Sequence, residues 1–110
     1  MLVGYIRVST DDQNLNLQKD ALIKYGIDQR NIFSDKTSGS KDKRVGLDKA
    51  IEFLKDGDTL VVWKLDRLGR SLAHLISIIT SLKNRNISFI SITEGMDTTT
   101  ASGELFFHIF

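Results

Sequence analysis

The apolar stretch Thr59 to Trp63 runs directly into Lys64, Asp66, Arg67 and Arg70, with Gly69 between the last two. Three cations and one carboxylate crowded behind a buried strand suit an anion site better than a solvated loop. Arginine's planar fork meets two phosphate oxygens at once, which the point charge of lysine does not. A carboxylate beside it can donate or orient a proton. A second set of reactive residues lies near the start of the chain, where Arg7 interrupts the apolar run Leu2 to Val8 and Ser9 follows. A hydroxyl close to a guanidinium is a candidate nucleophile. Plainer roles fit the same residues. Ser9 suits the N-cap of a following helix, and Arg7 suits an ion pair with Asp35 or Asp66. Asp66 and Arg67 suit an exposed pair, and Arg44 suits a solvated loop cation. On residue types alone both readings stand at each position.

These residues need elements to position them, and the hydrophobic pattern supplies a regular alternation. Leu2 to Val8 is a β-branched apolar run expected to be a strand buried on both faces. Ser9 to Asp12 offers caps for a helix from about Asp12 to Tyr25, striped with Leu15, Leu17, Ala21, Leu22 and Tyr25, and Gly26 stands where a helix stop belongs. A short strand follows over Asn31 to Ser34. Asp35 to Arg44 is polar and is expected to be a functional loop. Leu47, Ala50, Ile51 and Leu54 predict a helix from about Gly46 to Lys55, and Thr59 to Trp63 a third strand. Leu72, Leu75, Ile76, Ile79 and Leu82 predict a long helix from Ser71 to Arg85. Ile87 to Ile92 is expected to be a fourth strand and Gly95 to Asp97 a short fifth. The result is an α/β domain, three-layer α/β/α, with a mainly parallel sheet of four to five strands. In such sheets sites form at the carboxyl ends of strands. Ser9, the polar loop and Asp66 all fall there.

Composition narrows the function. With 110 residues the chain makes one small domain, and its net charge of +1 is too weak to bind nucleic acid by bulk charge, so any such role needs local clustering. The absence of cysteine excludes disulfides and thiolate metal sites. His74 and His108 lack ligand spacing, so no metal site is expected. No run approaches the ~18 apolar residues of a membrane helix, and the N-terminus lacks a signal-peptide pattern; a cytoplasmic protein is expected. Gly-x-Ser-x-Gly, Gly-x-Gly-x-x-Gly and the Gly-x-x-x-x-Gly-Lys phosphate loop are all missing. A Ser9–His74–Asp66 triad would require His74 to reach back about one helical turn, and the spacing supports no oxyanion hole.

The motifs also carry a family resemblance. Tyr5-Ile6-Arg7-Val8-Ser9-Thr10, then Asp12-Gln13 and Leu17-Gln18, resembles the N-terminal signature of the serine recombinases, the resolvase and DNA-invertase family. Val62 to Ser71 resembles the family's second signature. Asp35 to Gly39 and Arg44 to Leu47 are similar to its mobile loop, and Asp97 to Thr100 with Gly103 to Phe106 to its approach to a long helix. The later motifs are more similar to invertases than to other branches.

The resemblance implies that Ser9 attacks a DNA phosphodiester and forms a 5′-phosphoserine link. Arg7, Arg44, Arg67 and Arg70 would hold the scissile phosphate, Asp66 would be the acid for the leaving 3′-oxygen, and Gln18 would belong to the catalytic set. Gln13 and Lys64 would contact substrate. Neither cofactor nor metal is implied, because the arginines supply the positive charge. The implied partners are double-stranded DNA, a second copy in a homodimer, a tetrameric synapse and accessory DNA-bending proteins, with no membrane. Residues 1–102 would form the catalytic domain. Residues 103–110, with Phe106, Phe107, Ile109 and Phe110, would start a long dimerisation helix that is cut short, and the C-terminal DNA-binding domain would be absent. A chain ending there is expected to fold without recombining DNA. A small α/β serine hydrolase or phosphatase, and a non-catalytic phosphate-binding module, are the competing readings.

Overall fold

The computed structural model describes residues 1–9, 15–37, 45–65 and 72–98. In chain order these form β1 (Leu2–Ser9), α1 (Leu15–Tyr25), a 3-10 turn (Gln29–Asn31), β2 (Ile32–Thr37), α2 (Val45–Phe53), β3 (Thr59–Val62), α3 (Leu72–Asn84), β4 (Ser88–Ser91) and β5 (Met96–Asp97). The sheet order is β2-β1-β3-β4-β5. Pairs β1–β2, β1–β3 and β3–β4 are parallel, and β5 adds antiparallel to β4. The expected α/β/α architecture with a mainly parallel sheet is what the chain adopts.

Strand alternation sorts the core into two layers. One face of the sheet carries Ile6, Val8, Val61 and Ile90, packed with Leu22 of α1 and with Ile27. The other carries Val3, Tyr5, Leu60, Val62 and Phe89, packed with Leu47, Ala50 and Leu54 from α2 and around it, and with Ile79 and Leu82 of α3. Neighbouring positions on β1, β3 and β4 therefore go to opposite layers. Strands buried on both sides favour apolar residues at successive positions, which is why β1 and β3 read as near-continuous apolar runs, while β4 places Phe89 and Ile90 between two serines.

Several boundaries shift from the sequence expectation, and two of the shifts have a clear physical reason. The polar stretch expected to loop from Asp35 stays in β2 through Thr37, because β1 continues to Ser9 and offers ladder partners: Arg7 aligns with Asp35, Val8 with Lys36 and Ser9 with Thr37. Backbone pairing is indifferent to side-chain polarity at a sheet margin. The second helix ends at Phe53 rather than Lys55, because the Asp58 carboxylate accepts from the Lys55 N–H at 2.9 Å and turns the chain. Gly26 has φ +119° and closes α1 as expected. The expected caps at Thr10 to Asp12, the remainder of the loop through Arg44, and residues 103–110 lie outside the described residues.

Candidate active site

The chain order β1, β2, β3, β4 set against the spatial order β2-β1-β3-β4 creates a switch point between β1 and β3, where successive connections leave in opposite directions. Crevices open at the carboxyl ends of strands at such a point. The carboxyl end of β1 is Ser9. The segment leaving β3 is Trp63-Lys64-Leu65, immediately before Asp66. The strands that lead into the two sequence signatures therefore lie side by side, β1 beside β3. The margin is stepped: β3 stops level with Tyr5, through the Tyr5–Val62 pairing, while β1 and β2 run on together to Ser9 and Thr37. Four further residues at ~3.3 Å each carry the tip of β1 about 13 Å past the end of its ladder with β3.

Asp35 organises the β2 side. Its Oδ1 accepts from the Gly46 N–H at 2.7 Å, and its Oδ2 accepts from the Leu47 N–H at 2.9 Å and the Tyr5 hydroxyl at 2.8 Å. A carboxylate from a neighbouring strand thus caps α2 in place of a local Ser, Thr or Asp, against the positive end of the helix dipole. The approach is close. A Cβ on Gly46 would lie 2.3 Å from the Ser34 carbonyl oxygen, so glycine is required there. Arg44 directly precedes this pinned helix start, within about one 3.8 Å Cα step of Val45.

Gln18 of α1 reaches the opposite side of β1. It is fully buried and its Nε2 donates to the Arg7 carbonyl at 3.2 Å. Its Oε1 is buried with no hydrogen-bond partner among the described residues. A buried amide oxygen without a donor costs about 1–3 kcal/mol. Such a group stands out among satisfied ones, and it belongs to a residue that the motif had already singled out. Arg7 is half-buried on the strand and level with Asp35. Lys64 is half-buried too, its Nζ 4.8 Å from the centre of the Trp63 ring, a cation–π contact that steers the ammonium.

Of the residues expected to carry chemistry, Arg7, Gln18 and Lys64 are described in full and Ser9 by its backbone. Gln13, Arg44, Asp66, Arg67 and Arg70 lie outside the described residues. His74 is exposed on the first turn of α3. No group of three or more His, Asp or Glu converges on a cation site among the described residues, and no helix among them is long and apolar enough to cross a membrane. Sequence reasoning missed Tyr5 and the capping role of Asp35. It also missed Glu94, whose Oε1 and Oε2 each lie 3.3 Å from the Leu65 N–H. Asp35 had been weighed only as an ion-pair partner. Caps that span eleven or twenty-nine residues leave no local pattern.

Comparison with known proteins bears on this geometry. Residues 2–110 match the family model described as "Resolvase, N terminal domain". The chain is 55% identical over 112 residues to "Transposon Tn552 DNA-invertase BinR" of Staphylococcus aureus, covering 100% of this chain and 57% of that protein. It is 54% identical over 109 residues to "Serine recombinase gin" of Escherichia phage Mu, covering 99% of this chain and 55% of that protein. Among solved structures, the N-terminal catalytic domain of TP901-1 integrase aligns with TM-score 0.81 and 33% identity, over 98% of this chain and 88% of that one. The chain spans little more than half the length of these curated relatives.

Proposed function

From the premise that this chain belongs to the resolvase family of serine recombinases, we propose that it is the catalytic domain of a site-specific recombinase that cuts and rejoins double-stranded DNA through Ser9. The observation that carries the reading is the β1/β3 switch point, with Ser9 ending one strand and Asp66 following the other by four residues.

In the proposed reaction the Ser9 Oγ attacks the scissile phosphorus and its proton passes to water, while Asp66 begins the step protonated. A P–O bond to Ser9 forms as the P–O3′ bond breaks, and the 3′-oxygen leaves as a hydroxyl protonated by Asp66. The phosphodiester energy is kept in the phosphoserine bond, so attack by a 3′-hydroxyl of the new partner strand reseals DNA without a nucleotide cofactor. Arg7, Arg44, Arg67 and Arg70 stabilise the charge gathering on the equatorial oxygens. Loss of one such donor costs ~3 kcal/mol, on the order of a hundredfold in rate. Gln18 supports the β1 margin and offers its free acceptor to the site, while Gln13 and Lys64 contact DNA. The working protein acts in the cytoplasm as a homodimer that pairs into a tetrameric synapse, with accessory DNA-bending proteins where the site requires them. Residues 1–102 are its catalytic domain and residues 103–110 open its dimerisation helix.

The test uses the natural full-length protein and nicked recombination-site DNA. A protein–DNA band that resists denaturant is expected, and Ser9→Ala abolishes it. Persistence of the band in that variant removes Ser9 as nucleophile. Turnover of a small ester or phosphomonoester instead points to a hydrolase.

A further inference from the structure

The ladders that hold β3 stop at Val62, which pairs with Tyr5 on one side and Ser91 on the other. The backbone beyond it is nevertheless held at Trp63 and Leu65 by the turn between β4 and β5. The Ile92 N–H donates to the Val62 carbonyl at 3.0 Å, and the Thr93 N–H donates to the Trp63 carbonyl at 2.9 Å. The Thr93 hydroxyl donates to the same oxygen at 2.6 Å. The last rung is a side chain: the Glu94 carboxylate straddles the Leu65 N–H, both oxygens at 3.3 Å. Glu94 Oε1 also accepts from the hydroxyl of Ser91, which is fully buried.

An exposed glutamate gives up rotamer freedom when it is fixed in this way. Here a buried hydroxyl aims it at one amide, and that amide belongs to the residue before Asp66 and Arg67. Leu65 itself is seated in the core, so the backbone is held from both sides, by its apolar side chain and by the carboxylate on its N–H. Arg67 and Arg70 gain nothing from being charged unless the chain that delivers them starts from a fixed point.

We propose that Glu94, oriented by Ser91, is a positioning residue for the Asp66–Arg70 segment. It holds the Leu65 amide so that the acid and the two guanidiniums are presented to the scissile phosphate together. This rests on the recombinase reading of the site. Glu94 does not itself touch the reacting atoms.

The test compares Glu94→Ala, Glu94→Gln and wild type in the full-length protein. It measures the rate of covalent protein–DNA formation at saturating nicked site DNA, site affinity by gel shift, melting temperature, and exchange of the Leu65 amide proton. Glu94→Ala is expected to slow covalent capture on the order of a hundredfold, the penalty of a misplaced catalytic group, with affinity and melting near wild type. Glu94→Gln keeps a carbonyl oxygen for the Leu65 N–H and is expected to recover to within about fivefold, since a neutral acceptor is weaker than a carboxylate. Wild-type capture by Glu94→Ala, no recovery in Glu94→Gln, or a loss that only follows the melting temperature overturns the proposal. If wild type itself forms no covalent species, the recombinase reading fails instead. The amide then decides whether the clamp exists: faster Leu65 exchange in Glu94→Ala without general loosening supports it, and unchanged exchange overturns it.

Discussion

The two ends of the sheet use the same residue types to opposite purposes. At the amino ends of the strands, polar groups close the structure on itself. The Asp58 side chain accepts from the Lys55 N–H and pairs with the Met1 amino group at 3.3 Å, while its carbonyl accepts from the Ser88 N–H. Arg85, at the end of α3, donates to the Ile51 and Leu54 carbonyls at 2.9 and 2.7 Å and so caps the last turn of α2. Asn86, at φ 58°, accepts from the Gly57 N–H and donates to Asp56. At the carboxyl ends, Asp35, Gln18 and Glu94 each grip the backbone of a segment that continues into a residue with chemistry. Gln18 keeps a buried acceptor unspent as well. One end is built for stability, and on the proposed recombinase reading the other gives up some of it to hold reactive groups in place, the usual trade at a functional site.

Several changes would break or sharpen that contrast. The largest effect on stability is expected from Gly46→Ala. The new Cβ collides with the Ser34 carbonyl and must push α2 away from β2, undoing the Asp35 cap. A loss of about 3 kcal/mol in urea unfolding is expected, with covalent DNA capture lost beyond what unfolding explains. Arg85→Ala is expected to cost about 1–2 kcal/mol by releasing two helix-end carbonyls. Capture per folded molecule should not change, and a strong loss of capture would show that the two ends are not independent. Gln18→Leu removes a 3.2 Å bond but also an orphan acceptor. Unfolding should show unchanged or slightly raised stability, by up to about 1 kcal/mol, while capture falls about tenfold. A clear loss of stability would make Gln18 a structural residue only.

The smallest effect is expected at the exposed Asp28–Arg30 pair, just before the amino end of β2. The Arg30 side chain, followed by its backbone N–H, holds the Asp28 carboxyl down at a pKa of about 2. A lowered folded-state pKa contributes stability above the ordinary carboxylate range and loses it as pH falls towards 2. Carboxyl chemical shifts should place that titration near 2. Asp28→Asn should leave melting at neutral pH nearly untouched and alter only the acid limb, because exposed pairs are worth little.

The sequence by itself determined the alternation of strands and helices, because apolar periodicity is local and each buried strand or helix stripe declares its own period. It also singled out the short stretches expected to carry chemistry: Arg7 and Ser9 at one strand end, Lys64 to Arg70 at another, and Gln18 through its motif. What it left open was whether those stretches meet. Only the tertiary structure set the order β2-β1-β3-β4-β5, which makes the strands leading into the two distant motifs neighbours in the sheet. The tertiary structure likewise drew the polar residues Asp35 to Thr37 into a strand, by offering β1 as a ladder partner. It gave Asp35 a helix to cap and Glu94 an amide to hold. Those contacts join residues eleven to thirty positions apart, and a hydrogen bond across that distance depends on where two elements pack, which no local pattern of residue types encodes.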